Sequence, residues 1–321
     1  MKLKEIGWNG FLMTVPEEMY LIRQGGNANQ GTFSLESEEC LVEFNWKPIS
    51  KKKEPLISVV ESIIERAKKE ADKKKQKLSI KSKKATMVNN HDAMYLRMKS
   101  IAEECYYIWY CQESNRLVIV RFILETLDDK SRKFIKRFLA ALKCHAEERY
   151  VWALMKMRFE APKTFLLSEM KMEVGRAHIL LVESNLSVFE ERRRTINLDY
   201  FSMANLRFKD TYKDPEKWFE KNYMKAFKKI LRKRKVHFNA SGKKELNGHK
   251  AVIKQVKTAS GFYMRSAILC STACWYCSET NRIYILTVNS RTTRPIFLKR
   301  RLEKKEHDAL FDEVLASFQC H

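Results

Sequence analysis

The chain writes one unusual string twice, YYIWYCQESNR at 106–116 and TACWYCSETNR at 272–282. Trp109, Tyr110, Cys111, Asn115 and Arg116 recur as Trp275, Tyr276, Cys277, Asn281 and Arg282, at an offset of 275 − 109 = 166. If the flanking sequence repeats in the same order, the chain must fold as two copies of one domain, and it does repeat. FLMTVP at 11–16 and MRFEAP at 157–162 are extended apolar runs stopped by proline, each followed by a Gly-containing turn and more strand-like sequence, GTFSLES or GRAHILL. Pro55 and Pro215 open helical segments, with Ile57, Val60, Ile63, Ile64 and Ala67 on one and Phe219, Tyr223, Phe227 and Ile230 on the other at helical spacing. Asn90-His91-Asp92-Ala93 and Gly248-His249-Lys250-Ala251 each begin a strand. The Trp-Tyr-Cys strands follow, and a turn at Glu-Ser-Asn or Glu-Thr-Asn leads into the buried runs LVIVRF and IYILTV. Ile135, Phe138, Leu139 and Leu142 form the apolar stripe of one closing helix, and Phe311, Val314, Leu315 and Phe318 that of the other. Both are expected to end at Cys-His, with His145 on the inward stripe.

A chain of 321 residues is long enough for two cores. The expected organisation is two similar domains, 1–146 and 147–321. Strands run together instead of alternating singly with helices, which predicts an α+β fold, each domain an antiparallel β-sheet packed with helices. The order also resembles the PsbP-like fold: Trp8, Gly10 and Pro16 at the start, a long helix, a small-His-x-Ala strand entry, an aromatic hairpin and a closing helix. The second half lacks the Trp-x-Gly start. That family includes photosystem II extrinsic subunits, a Ran-binding nuclear import factor and bacterial secretion chaperones. The resemblance implies a domain that binds other macromolecules, and it carries over no catalytic residue.

Charge narrows the function. Lys and Arg number 62 against 39 Asp and Glu, a formal net charge of +23 with a pI near 9.6. Folding gains nothing from this excess, because self-repulsion opposes compactness, so a polyanionic partner is expected: nucleic acid first, an acidic protein second. No uninterrupted apolar run reaches the ~20 residues of a membrane span, and the start MKLKEIGWNGF lacks the apolar core of a secretory signal, which points to a cytoplasmic protein. The abundance of Lys and Glu with little Gly or Pro is a balance seen in heat-adapted proteins.

Two thiols and two imidazoles repeat in each half: His91, Cys111, Cys144 and His145, then His249, Cys277, Cys320 and His321. That is the donor set of a structural zinc site, although the residues come from separate elements instead of a short Cys-x-x-Cys knuckle. Packing of small buried thiols and a Cys–Cys bond are the competing readings. Cys105, Cys270 and Cys274 have no repeated pattern and read as packing residues, and Cys40 sits in a strand-like stretch.

The basic residues cluster. Lys51, Lys52 and Lys53 precede the first long helix; Lys228, Lys229, Arg232, Lys233, Arg234 and Lys235 continue its counterpart. Arg192, Arg193 and Arg194, and Arg291, Arg294, Lys299, Arg300 and Arg301, fall in segments expected to be loops, the latter longer in the second copy than in the first. Arg content of this kind suits bidentate phosphate contacts. The chain has no Walker loop, Gly-x-Gly-x-x-Gly, Gly-x-Ser-x-Gly or His-Glu-x-x-His. The expectation is a non-enzymatic tandem-domain protein that binds structured RNA or a ribonucleoprotein such as the ribosome through phosphate contacts, with no cofactor unless zinc fills the Cys/His sets. The alternative is an adaptor or chaperone for an acidic protein.

Overall fold

The computed structural model describes residues 2–27, 29–50, 52–208, 214–231, 235–260, 264–295 and 304–320. The chain divides into two compact units, Met1–Leu154 and Met155–His321. In the first, β1 (Leu3–Trp8), β2 (Phe11–Pro16), β3 (Tyr20–Gly26), β4 (Gly31–Glu36) and β5 (Cys40–Pro48) precede α1 (Leu56–Lys73). Then come β6 (Ser79–Val88), β7 (His91–Lys99), β8 (Glu103–Cys111), β9 (Arg116–Leu124), α2 (Asp129–Ala141) and β10 (Arg149–Leu154). The second unit starts with β11 (Met157–Pro162), β12 (Leu166–Glu173), β13 (Arg176–Leu186) and β14 (Glu191–Ser202). Its helical region comprises α3 (Ala204–Arg207), α4 (Pro215–Trp218), a π-helical turn (Phe219–Tyr223) and α5 (Met224–Leu231). It closes with β15 (Ala240–Leu246), β16 (His249–Ser260), β17 (Met264–Cys277), β18 (Arg282–Pro295) and α6 (Lys304–Ala316).

Each unit is built on a seven-stranded antiparallel sheet. The strand order is β3-β4-β5-β9-β8-β7-β6 in the first and β12-β13-β14-β18-β17-β16-β15 in the second, one topology used twice. Strands dominate and helices are few, so the fold is mostly antiparallel β instead of an even α+β mixture; five strands precede α1. The domain boundary also moves, from 146 to 154. β10 belongs with the first unit because it pairs with β1, Gly7 opposite Ala153, and Trp8 meets Trp152 edge-on at 5.2 Å. Gly7 permits that pairing, since a Cβ there would collide with the Val151 carbonyl.

Both faces of each large sheet are covered, which is why the central strands read as nearly continuous apolar runs. On one face of the first sheet, Val59, Val60, Ile63 and Ile64 of α1 pack on Leu96, Met98, Tyr106, Ile108 and Leu117. The residues between them, Trp109 and Phe122, face the other way, and Phe122 meets Phe138 of α2 with ring centroids 5.3 Å apart. In the second unit Trp218, Phe219, Tyr223 and Phe227 cover Val256, Ile268, Cys270, Cys274, Ile283 and Ile285. Trp275 packs on the opposite side against Phe318, at 4.9 Å.

The closing helices end before Cys-His. Leu142 leaves the helical region at φ −76° and ψ 122°, and Lys143 exchanges two backbone hydrogen bonds with Leu12 of β2, at 2.9 and 2.7 Å. The Cys144-His145 pair therefore sits in an extended exit, not on the helical stripe. Gln319 and Arg158 repeat the same exchange in the second unit, at 2.8 and 2.7 Å.

Candidate metal centres and a cationic cleft

The exit of α2, the turn before β7 and the end of β8 meet at one end of the first sheet. Asn89 and Asn90 take positive φ, 46° and 65°, in the β6–β7 turn, a conformation Asn tolerates better than other side chains with a Cβ. The Asn89 amide donates to the Leu139 carbonyl at 2.8 Å and also to that of Leu142, clamping the turn to the last carbonyls of α2. That clamp brings His91, the first residue of β7, beside Cys144. Cys111, the last residue of β8, arrives from the neighbouring hairpin.

The four side chains converge. Cys144 Sγ lies 3.2 Å from His91 Nε2 and 3.6 Å from His145 Nδ1, and Cys111 Sγ lies 3.3 Å from His145 Nδ1. All four donor atoms fall within 4.8 Å of one another. Atoms bound to one ion at about 2.0–2.3 Å with tetrahedral angles stand roughly 3.3–3.8 Å apart, so the spacing suits a four-coordinate ion. Both thiols are buried and both imidazoles half-buried. Hydrogen bonding between the thiols holds Cys111 below the usual thiol range and pushes Cys144 above it, burial adding to the latter. The Trp109 side chain favours the Cys144 thiolate in turn.

The second unit repeats the arrangement. Asn247, at φ 47°, donates to the Phe318 carbonyl, and the donor atoms of His249, Cys277 and Cys320 lie within 4.8 Å of one another. Trp275 stands to Cys320 as Trp109 does to Cys144. His321 lies outside the described residues. None of the eight cysteines forms a disulfide and all are buried, Cys40, Cys105, Cys270 and Cys274 included.

The basic residues divide. Lys51, Arg232, Lys233, Arg234, Lys299, Arg300 and Arg301 lie outside the described residues. Lys52, Lys53 and Lys235 are exposed and Lys228 is half-buried, with the Lys53 ammonium 4.7 Å from the centre of the Tyr110 ring. Arg192 to Arg194 and Arg291 to Arg294 are not in loops. They belong to β14 and β18, which pair across their full length, Glu191 opposite Thr293 through Ser202 opposite Arg282. Polar strand sequence of this kind lacks apolar alternation, and only its partners make it a strand. Arg192 pairs with Glu306, Arg194 with Glu183, and buried Arg294 with Glu190 at 3.5 Å, so these three are engaged within the fold.

Arg193, Lys229 and Arg291, read from three separate stretches, meet at one cleft of about 410 Å³ between the β12-β13-β14-β18 face and the helical region. Arg193 lies directly opposite Arg291 across the β14–β18 pair. Arg291 donates to the Leu231 carbonyl at the end of α5, at 3.4 Å. Two of the acids that line the cleft are paired with cations, Glu169 with Lys171 and Asp199 with Arg176 at 3.1 Å; His178 Nδ1 also lies 3.1 Å from the Asp199 carboxylate, and Glu173 stands at the same cleft. Burial pushes the Asp199 carboxyl up, but hydrogen bonds from His178, Tyr223 and Arg176 outweigh it and hold the group below its ordinary range. Thr195, Asn197 and Asn289 line the floor, and the Asn289 amide oxygen is buried without a hydrogen-bond partner. These floor residues escaped the sequence reading. Their signal was Thr195, Asn197 and Asp199 alternating through the otherwise apolar TINLDYF, an inward polar row in a buried strand.

No protein family and no curated protein matches the chain. Among solved structures, PsbP of Synechocystis sp. PCC 6803 is 10% identical, with a TM-score of 0.35, and the match covers 44% of this chain and 91% of PsbP. The immunity protein TplEi of the Pseudomonas aeruginosa type VI secretion system is 11% identical, with a TM-score of 0.32 over 99% of this chain and 96% of its own. TplEi in complex with an "L" peptide gives 10% identity and a TM-score of 0.33. The resemblance to the PsbP-like fold is one of fold alone, and the repeat within this chain is the strand order shared by its two large sheets. No helix among the described residues is long and apolar enough to cross a membrane.

Proposed function

We propose that the protein is a non-enzymatic binder of structured RNA, free or in a ribonucleoprotein, that grips phosphates with the cationic cleft of its second unit. The reading rests chiefly on the placement of Arg193 opposite Arg291, with Lys229 lining the same cleft. Like charges directly opposite on a sheet cost roughly 0.2–1 kcal/mol, a cost that a bound phosphate converts into attraction. Arginine supplies paired donors at fixed geometry, and Lys229 adds a point charge. The formal excess of +23 supports the same reading, because long-range attraction brings a polyanion to the surface before any specific contact forms. Contacts to phosphate need no base-reading motif, so recognition follows RNA shape.

The test is fluorescence anisotropy of a labelled RNA hairpin across a salt series, with the parent chain and the triple variant Arg193→Gln, Lys229→Gln, Arg291→Gln. Each phosphate contact contributes about 0.7–0.9 to the slope of log affinity against log salt, so the triple variant should lose roughly two units of slope and bind more weakly at every concentration. A folded triple variant that binds like the parent throughout would remove the cleft from RNA binding and leave an acidic protein as the partner for the basic surface.

A further inference from the structure

We propose that His91, Cys111, Cys144 and His145 hold one zinc ion in the first unit as a closed, four-coordinate structural centre, and that His249, Cys277 and Cys320 belong to its copy in the second. Three observations carry this. First, the donor spacings of 3.2, 3.3 and 3.6 Å match the edges of a tetrahedron around one ion, reached from three separate elements. Second, two thiolates and two imidazoles form a donor set that favours zinc over the oxygen-seeking magnesium and calcium. Third, three of the four donors recur in the second unit, with the donor atoms of His249, Cys277 and Cys320 within 4.8 Å of one another and an Asn in the equivalent turn donating to a carbonyl beyond the closing helix, Asn247 to Phe318 as Asn89 to Leu142.

Packing alone explains buried thiols, but not why ring nitrogens of two half-buried histidines both turn towards sulfur. A Cys111–Cys144 bond would leave those imidazoles facing neutral sulfurs. Zinc accounts for all four side chains together. As Zn²⁺ enters, the two thiols release their protons to water, and two thiolates with one dication leave the buried centre neutral. With four protein donors no position remains for substrate, so the ion's role is structural: it ties the β6–β7 turn, the end of β8 and the exit of α2 into one knot.

The test uses the full chain, purified under reducing conditions from zinc-supplemented cells. Elemental analysis should find at least one tightly held zinc per chain. Removing it with a chelator and adding Co²⁺ should produce the intense visible bands of tetrahedral cobalt and a thiolate-to-metal band in the ultraviolet. The double variant Cys111→Ser, Cys144→Ser should lower the cobalt stoichiometry by one. Should that variant fail to fold, the parent still decides: zinc at a thousandfold its dissociation constant should raise the melting temperature of the stripped protein by about 10 °C. Three results overturn the proposal: no retained metal together with no cobalt spectrum, a spectrum unchanged in a folded double variant, or two fewer free thiols than the eight cysteines present under non-reducing conditions. None depends on whether the protein binds RNA.

Discussion

In the repeated Trp-Tyr-Cys with Asn-Arg four residues on, the Trp, Asn and Arg each have a structural task in both units. Trp109 and Trp275 are fully buried beneath the closing helices. Asn115 and Asn281 supply the positive φ of the hairpin turn, 52° and 50°. Arg116 donates to the Asn9 carbonyl in the β1–β2 turn at 2.6 Å, and Arg282 donates to the Met155 carbonyl just before β11. Burial lowers the pKa of Arg116 from the ordinary guanidinium range, yet the side chain still sits over Phe11, 5.5 Å from the ring centre. Arg116→Ala should therefore lower stability by about 2–3 kcal/mol in urea unfolding, through a lost charged hydrogen bond and an unpaired carbonyl. His307 gives a pH prediction. Burial holds its pKa down to about 4, with Arg194 acting in the same direction and Asp308 against it, while Ser271 and Ser290 contact its ring nitrogens at 3.0 and 2.9 Å. The unfolded chain takes up this proton near pH 6.5 and the fold resists it, so the contribution is complete above 6.5 and lost as pH falls towards 4. Stability measured between those values should rise with pH, and His307→Gln should flatten the slope.

At the scale of elements, the candidate metal centre depends on how the β6–β7 turn meets the end of α2. Asn89 makes two hydrogen bonds across that junction and occupies a conformation that Ala resists. Asn89→Ala should cost about 1–2 kcal/mol, a fall in melting temperature of roughly 2–8 °C, and should weaken metal retention more than a surface substitution of equal cost. This junction also marks where sequence is legible. The hairpins, both long helical segments and the repeated Cys/His set could be read because each is a local pattern written twice. The end of α2 could not, since Leu142 continues the apolar stripe and only the distant Leu12 draws Lys143 out of the helix. Arg193 and Arg291 were legible as charge but not as neighbours, because the pairing of β14 with β18 depends on partners far apart in the chain. The clamp by Asn89 was hidden for the same reason: Asn at a turn is ordinary, and its acceptors lie some fifty positions away.

For the molecule as a whole, the formal charge of +23 sets up two opposing responses to salt. Screening weakens the ion pairs, among them the half-buried contacts of Arg121 with Glu43 and Glu104 at 2.9 and 2.8 Å. It also relieves repulsion among the excess cations, which crowd more closely in the folded chain than in the unfolded one. Exposed pairs are worth about 0–1 kcal/mol each, and those partly buried are screened least. The repulsion among uncompensated charges acts over the whole surface once the Debye length grows to about 30 Å at 0.01 M salt, against about 8 Å at 0.15 M. Relief of repulsion should win, so the melting temperature should rise over that interval. At fixed ionic strength a polyphosphate should raise it further, because a polyanion that binds the folded surface stabilises by mass action while screening does not distinguish it from simple salt. The triple variant at Arg193, Lys229 and Arg291 should keep the response to simple salt and lose part of the response to polyphosphate. Differential scanning fluorimetry of both proteins separates the two effects: equal polyphosphate shifts in parent and variant would mean that the cationic cleft is not where the polyanion binds.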